Sequence, residues 1–365
     1  MAESLFDLEG LQQAAMDVAQ LSELDLAPFE ATFEALVTAL ATEAGLYPAR
    51  AWRTFDNLVE ELALRAARRA LLAADPTLRE VEIRAPLFVV GLPRTGTTLL
   101  HNLLARADGC YAPAMWQLRR PLPSRSPDSS AEVQAEIDAL YGRVPVFRKI
   151  HRLHADSPDE CSWLFRHAFS SLALAFQYYV PSYRRFLLAR PAHAAYADYR
   201  LWLQILRRQH PRGTLVLKDP CHLWHLDALR STFPDARVVR LRRDPAEAVA
   251  SLASLCHALH GMDSSRTDKR RTADEVLEMV DAASVRLAGV ARSDPWLLDV
   301  PYRELVADPL GTAQAVLAWA GAPGGMAGAT RWYGDNPQHK GGRHEYSAAE
   351  FGLGADDLRE RYEGL

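Results

Sequence analysis

The chain has 365 residues, of which 48% are hydrophobic, and carries a formal net charge of −4 with a pI near 6.3. This composition supports a large core without metal or disulfide bonds, and the lack of a basic excess argues against a general nucleic-acid-binding protein. The sequence begins without the basic and apolar run of a secretion signal, lacks the roughly 20 consecutive apolar residues of a transmembrane helix, and scatters its four cysteines. We therefore expect a soluble cytoplasmic protein with reduced cysteines and no membrane span.

The predicted elements begin with helices. Apolar residues recur at three- and four-residue spacing through residues 1–80, which predicts an N-terminal helical cap packed on the core. The first buried strand is predicted at Leu87–Val90, and a glycine-bounded loop and a helix follow it. Three later apolar runs predict further strands: Leu215–Leu217, Val238–Leu241 and Trp296–Val300.

A long insertion separates the first two predicted strands. It covers about residues 105–213, opens on a Pro/Ser-rich loop and continues into aromatic-rich helices. Strands alternating with helices indicate an α/β fold with a parallel sheet flanked by helices. The sequence thus predicts a helical cap over residues 1–80 and one α/β domain over 81–365 that carries the insertion on its acceptor side.

The loop after the first strand has the glycine spacing of a P-loop. Backbone N–H groups of such a loop, together with the N-terminus of the following helix, favour an anion. The lysine that NTPases place after the second glycine is absent, and the cation stands earlier, at Arg94. A sulfuryl group carries less negative charge than a phosphoryl group, so cationic side chains can stabilise its transfer without a metal ion. The residues of this predicted anion cradle are Gly91, Leu92, Pro93, Arg94, Thr95, Gly96, Thr97 and Thr98.

The motif GLPRTGTTLL resembles the 5′-phosphosulfate loop of PAPS-dependent sulfotransferases, in the bacterial branch whose loops read G-x-P-R-S/T-G-T-T. The resemblance continues through LVLKDPCHLWHLDALRSTFPDARVVRLRRDPAEAVASLASL to HKGGRHEYSAAEFGL, from about residue 84 to the C-terminus. It implies a P-loop-like sheet and transfer of a sulfuryl group from PAPS to a small-molecule hydroxyl. Adenosine 3′,5′-bisphosphate would be the product, and no metal is expected.

The resemblance also implies donor-binding residues outside the cradle. An Arg at a strand end and a Ser eight residues later hold the 3′-phosphate in this family, and Arg243 and Ser251 stand at that spacing. Tyr302 resembles the family tyrosine that approaches adenine, and Lys340 and Arg343 resemble the basic, glycine-containing segment that closes over the donor. Lys218 is assigned to the bridging region of the donor, where it would act with Arg94.

The base that removes the acceptor proton has two candidates. The position of the histidine of animal relatives is a proline here, and His222 lies two residues further on, at the start of the predicted helix CHLWHLDALR, where it would face the cleft at the carboxyl end of a predicted strand. We take His222 as the first candidate and Glu160 as its carboxylate rival. Gln117 stands near the position where similar bacterial sequences carry a glutamate, and an amide cannot act as a base.

The acceptor site is expected in the insertion. Its aromatic side chains favour an apolar or aromatic acceptor, although aromatic residues at helical spacing also form core. Two other functions remain open: a P-loop kinase or NTPase, which predicts magnesium dependence, and a non-catalytic nucleotide-binding protein, which predicts binding without turnover. The aromatic candidates are Phe176, Tyr178, Tyr179 and Tyr183.

Overall fold

The computed structural model describes residues 5–123, 128–145, 147–150, 152–289, 294–322, 324–336, 347–363 and 365. Five parallel strands form one sheet in the order β2-β3-β1-β4-β5. Their bounds are Leu87–Val90 (β1), Cys110–Tyr111 (β2), Thr214–Lys218 (β3), Arg237–Arg242 (β4) and Leu297–Pro301 (β5).

Helices surround this sheet. They are Leu8–Ala19 (α1), Glu30–Thr42 (α2), Pro48–Ala74 (α3), Thr97–Leu104 (α4), Met115–Arg119 (α5), Ser129–Arg143 (α6), Phe147–Ile150 (α7), Trp163–Arg166 (α8), Leu172–Gln177 (α9), Pro181–Leu188 (α10), His193–Gln209 (α11), Leu226–Thr232 (α12), Pro245–Asp263 (α13), Lys269–Ala288 (α14), Tyr302–Ala307 (α15), Pro309–Trp319 (α16), Ala327–Asp335 (α17) and Ala355–Arg361 (α18). Short 3₁₀ turns occur at Pro76–Glu80, Pro220–Trp224 and Ala349–Phe351.

The predicted α/β class is confirmed, and the four predicted strands are present. β1 is a four-residue apolar run buried along its whole length, since neighbouring strands and helices cover both faces. The fifth strand, Cys110–Tyr111, has only two residues and is too short to produce a pattern in the sequence. It pairs with β3 and extends the sheet at one edge.

The topology places β1 at the point where the chain changes direction across the sheet. From β1 the chain passes to β2 at the edge of the sheet and returns to β3, which pairs with one side of β1. It then crosses to β4, which pairs with the other side of β1. Ligands of open α/β sheets bind outside the carboxyl ends of strands at such a switch point. The loops that begin at Gly91, Asp219 and Arg243 all leave this edge of the sheet.

The N-terminal helices pack into the same apolar core as the insertion. Helix α3 is joined to α11 by a buried charged group, in which Arg68 Nη2 lies 2.5 Å and Arg65 Nη1 3.0 Å from Asp198 Oδ1. A buried acid needs such partners, because an unpaired charge in the interior is costly. The division near residue 80 stays a prediction, since buried residues of both parts form one continuous cluster.

Across the described residues, we find no helix with the length and apolar character needed to cross a bilayer.

Candidate active site

The cradle loop is built from unusual backbone conformations. Gly91, Arg94 and Gly96 have φ angles of 144°, 74° and 95°. Positive φ angles in this range are unfavourable for residues that carry a Cβ atom. A Cβ at Gly91 would lie 2.7 Å from the carbonyl oxygen of Leu241, so this position requires glycine. The hydroxyl of Thr95 donates to the carbonyl oxygen of Leu92 at 2.7 Å and closes the turn. α4 therefore begins with its free N–H groups at the carboxyl edge of the sheet.

Four predicted donor-binding residues meet around this loop. The Nε of Arg94 lies 3.3 Å from Ser251 Oγ, and Arg243 Nη1 donates to the carbonyl oxygen of Arg94 at 2.8 Å. The guanidinium of Arg243 lies 4.6 Å from the ring centroid of Tyr302. That ring packs against Gly96, where an added Cβ would lie 2.9 Å from Tyr302 Cδ2. Three elements thus converge on the cradle, and the roles of these residues toward a donor stay predictions.

The remaining cradle residues divide by exposure. Thr95 and Thr97 are buried, whereas Arg94 and Thr98 are exposed. Pro93 lines a large neighbouring cavity. The predicted Lys340 and Arg343 lie outside the described residues.

Lys218 and Glu160 form an ion pair at the carboxyl end of β3. Lys218 Nζ lies 2.8 Å from Glu160 Oε1, with the lysine side chain 1% exposed and the glutamate 28% exposed. Burial opposes the charged form of Lys218, but Glu160 and Asp159 outweigh it and raise the lysine pKa. The buried Asp219 follows in the chain, and burial together with the charge of Glu160 raises the pKa of Asp219 to about 7. One cation and several acids therefore share this edge.

His222 is placed differently from our prediction. It is 1% exposed, lies in the 3₁₀ turn Pro220–Trp224 rather than at the start of a helix, and packs edge-on against Phe88. Its Nδ1 lies 2.6 Å from Tyr196 Oη and its Nε2 3.2 Å from Cys161 Sγ. Burial lowers the pKa of His222 to about 3. Since internal partners occupy both nitrogens, the geometry counts against His222 as the acceptor base.

Three side chains of the kind that bind metal ions, one of them His222, lie close together. Ligand atoms of Cys161, Asp219 and His222, all buried, lie within 4.8 Å of one another. The expectation of a metal-free enzyme therefore stays a prediction.

Gln117 has a structural role. Its Oε1 accepts hydrogen bonds from the backbone N–H of Ala114 at 2.7 Å and from the hydroxyl of Tyr111 at 3.0 Å. Its Nε2 lies 2.7 Å from His210 Nε2. These contacts hold the start of α5 in place. The Gln117 side chain therefore stabilises the helix whose Met115 and Leu118 line the neighbouring cavity.

A cavity of about 750 Å³ runs from the cradle into the helical part of the chain. Pro93, Glu160 and Asp219 line it beside the cradle, at the large end of the range for small-molecule sites. Most of its other lining surface is apolar, and one large apolar part comes from the insertion and α13. This part includes Met115, Leu118, Leu140, Phe147, Trp163, Leu255, Leu259 and Met262.

The aromatic candidates split between cavity and core. Phe176 and Tyr178 line the cavity. Tyr183 is fully buried and donates to the carbonyl oxygen of Phe169 at 2.7 Å, while Tyr179 packs edge-on against His260. The sequence pattern did not separate these environments, because both place aromatic rings at helical spacing.

The sequence analysis missed a major wall of the cavity. Helix α3 lines it from Arg50 to Ala70, a distance of about 30 Å at 1.5 Å per residue. We predicted these N-terminal helices only as a cap. An amphipathic pattern indicates that a face is covered, but it does not distinguish protein from ligand as the cover.

The parallel sheet with a glycine-bounded loop after its first strand is the architecture of a P-loop-like α/β protein. The sequence profile of the sulfotransferase family matches residues 86–324, more than half of the chain. The chain belongs to the sulfotransferase family.

Individual relatives extend this finding. The omega-hydroxy-beta-dihydromenaquinone-9 sulfotransferases of Mycobacterium bovis and Mycobacterium tuberculosis are each 27% identical over 249 residues, or 62% of this chain. That match spans 60% of the length of these curated relatives. Sulfotransferase STF1 of Mycobacterium tuberculosis superimposes with a TM-score of 0.84 at 28% identity, covering 98% of this chain and 99% of its own. Sulfotransferase STF9 of Mycobacterium avium has the same fold, with a TM-score of 0.82 at 24% identity, 98% of this chain and 95% of its own.

Proposed function

We propose that this chain transfers a sulfuryl group from PAPS to a hydroxyl group of a small apolar molecule and releases adenosine 3′,5′-bisphosphate. One observation carries the proposal: the anion cradle and the Lys218–Glu160 pair border the same cavity, through Pro93 and Glu160. An acceptor in this cavity would have its hydroxyl between a carboxylate and a site for a transferable anion. Family membership supports the reaction class.

The residues around the cradle fit a nucleotide with two phosphate positions. The turn 91–96 and the N-terminus of α4 suit the 5′-phosphosulfate. Arg243 and Ser251 lie beside the cradle, at the positions that the family resemblance assigns to the 3′-phosphate, and Tyr302 offers a ring for the adenine. The cradle lacks the lysine with which NTPases hold a β/γ-phosphate. This supports PAPS over a magnesium nucleotide as the ligand.

The chemistry follows from the charges at this edge. When bound, PAPS supplies a sulfuryl group whose bond to a phosphate oxygen breaks as the bond to the acceptor oxygen forms. Glu160 accepts the proton of the acceptor hydroxyl, since it is partly exposed on the cavity and His222 is enclosed. Lys218 and Arg94 offset the negative charge that collects on the leaving phosphate. Glu160 thus replaces our first candidate for the base.

The cavity supports an apolar acceptor. Its walls are mainly aliphatic and aromatic, and its volume of about 750 Å³ exceeds what a short alcohol would fill. The curated relatives act, by name, on a hydroxylated menaquinone derivative, an apolar molecule with a terminal hydroxyl. We propose the same general class of acceptor here, a hydroxyl on a long apolar body.

The test separates this proposal from its two alternatives. Thermal unfolding is measured with adenosine 3′,5′-bisphosphate and, separately, with ADP and magnesium, followed by transfer of labelled sulfate from PAPS to long-chain alcohols. A ligand at 100 times its Kd adds about 2.7 kcal/mol to the free energy of unfolding, which gives a measurable shift. A shift with ADP and magnesium alone would favour an NTPase, and a bisphosphate shift without transfer to any alcohol would favour a non-catalytic binding protein.

A further inference from the structure

Three arginine side chains lie together on the wall of the cavity. Arg50 and Arg53 come from α3 and Arg143 from the end of α6. Burial and then the positive charges of Arg53 and Arg50 lower the pKa of Arg143, so Arg143 lies within electrostatic reach of the other two guanidinium groups. Among the described residues, Asp263 is the carboxylate in ion-pair contact with this cluster, 3.4 Å from Arg50 Nε. Three cations therefore share one acid.

The local structure does not offset this charge. Arg50 and Arg53 stand near the N-terminus of α3, where the helix dipole favours negative charge, and the first turn of α3 contains no acidic residue. Asp263 is itself a weak counterion, because burial raises its pKa and it also accepts a hydrogen bond from Gln177. A cluster that costs stability in the free protein is well suited to bind an anion from the cavity.

Helix α13 connects this cluster with the cradle. Ser251 contacts Arg94 at the cradle, and Asp263 contacts Arg50 at the cluster. These two positions are twelve residues apart on one helix, which corresponds to about 18 Å at 1.5 Å per residue. Between them, Leu255, Leu259 and Met262 line the cavity. The cavity thus has a reactive end, an apolar middle and a cationic end.

We infer that the acceptor is an amphiphile whose reacting hydroxyl and whose anionic group lie at opposite ends of an apolar chain, with the anion held by Arg50, Arg53 and Arg143. This inference rests on the proposed sulfotransferase function. An extended chain advances about 3.5 Å per three bonds, so about 18 Å corresponds to roughly 15 bonds. A long-chain ω-hydroxy fatty acid has this chemistry and length.

The experiment compares 16-hydroxyhexadecanoate with its methyl ester and with the short 6-hydroxyhexanoate, using labelled PAPS. We expect kcat/KM for the long acid to exceed that for its ester by about tenfold, the effect of one charge-assisted hydrogen bond. In the double variant Arg53→Gln, Arg143→Gln this preference should fall to about twofold or less. Arg200→Gln, at an exposed position of α11, removes the same charge elsewhere and should keep the preference.

A second measurement separates failure of this inference from failure of the proposed function. Binding of 16-hydroxyhexadecanoate is measured by calorimetry with adenosine 3′,5′-bisphosphate present, and the thermal shift with the bisphosphate verifies that each variant folds. Equal turnover of acid and ester by the parent protein, or a preference unchanged in the double variant, overturns the inference and leaves sulfuryl transfer standing. Arginine-dependent binding of the acid without turnover of any alcohol supports the anion site and overturns the proposed function.

Discussion

The ammonium group of Lys218 lies 2.8 Å from the carboxylate of Glu160, and the lysine is buried while the glutamate is partly exposed on the cavity. This pair places a fixed positive charge behind a carboxylate that an acceptor can reach. The positive charge can stabilise a leaving phosphate, and the carboxylate can accept a proton. Both roles require that the two groups lie at the carboxyl edge of the sheet, next to the cradle.

Replacing Glu160 with glutamine should lower kcat by about 10²- to 10⁴-fold, the usual contribution of a general base. His222→Gln should lower kcat much less and instead lower the free energy of unfolding, by about 1–3 kcal/mol, because it disturbs a buried hydrogen-bonded group. Steady-state kinetics and urea unfolding of both variants measure these effects. A larger loss of kcat in His222→Gln than in Glu160→Gln would restore histidine as the base.

Removing the charge of Glu247 should strengthen binding of adenosine 3′,5′-bisphosphate by a few fold, on the order of 1 kcal/mol. Arg243 Nη2 lies 2.6 Å from Glu247 Oε2, so a phosphate must compete with this carboxylate for the arginine. Calorimetric Kd values of the bisphosphate for the parent, Glu247→Gln and Arg243→Gln test this prediction. Arg243→Gln should bind the product at least tenfold more weakly, as loss of a charge-assisted contact predicts. Weaker binding in Glu247→Gln would instead mean that the glutamate orients the arginine for its phosphate.

The variant Gly96→Ala should bind the donor more weakly than the parent. It should also lose more free energy of unfolding than the positive φ at this position accounts for. The positive φ costs about 1–2 kcal/mol for any residue with a Cβ. At Gly96 the new Cβ would also lie 2.9 Å from Tyr302, whereas at Gly109, where φ is 76°, it meets nothing within 4 Å. Gly109→Ala is therefore the matched control for thermal unfolding with and without the bisphosphate. Equal effects on both measurements in the two variants would contradict a role for the Gly96–Tyr302 contact.

Asp219 should make the parent protein lose stability relative to the variant Asp219→Asn as pH rises from about 4 to about 7. Its folded-state pKa of about 7 is above the ordinary aspartate pKa of 3.8, so the folded protein binds the proton more tightly than the unfolded chain does. The stabilisation is complete below the unfolded pKa and is lost as pH passes through the folded one. In urea unfolding at several pH values, the free energy of unfolding of the parent minus that of Asp219→Asn should decrease with rising pH; the asparagine side chain can still accept the hydrogen bond from Cys221 N–H. Parallel profiles would show that Asp219 is ionised throughout.

The elements that local pattern determines could be predicted, whereas those set by tertiary packing could not. The strand Leu87–Val90 and the cradle after it follow from a short apolar run and two glycines, and the structure has both. The family resemblance assigned Arg243 and Ser251 to one phosphate position, and in the structure both lie beside Arg94 of the cradle. The environment of His222 depends on Tyr196 and Cys161, which come from distant parts of the chain.

Helix α3 has a further consequence for how this protein is divided. The family match begins at residue 86, after the end of α3, yet this helix forms a wall of the acceptor cavity over about 30 Å. Part of the cavity lining thus lies outside the stretch that defines the family, and part lies inside it. Substitutions on the cavity face of α3 would therefore change the shape of the cavity without touching the cradle loop at residues 91–98, so the two can vary separately in sequence.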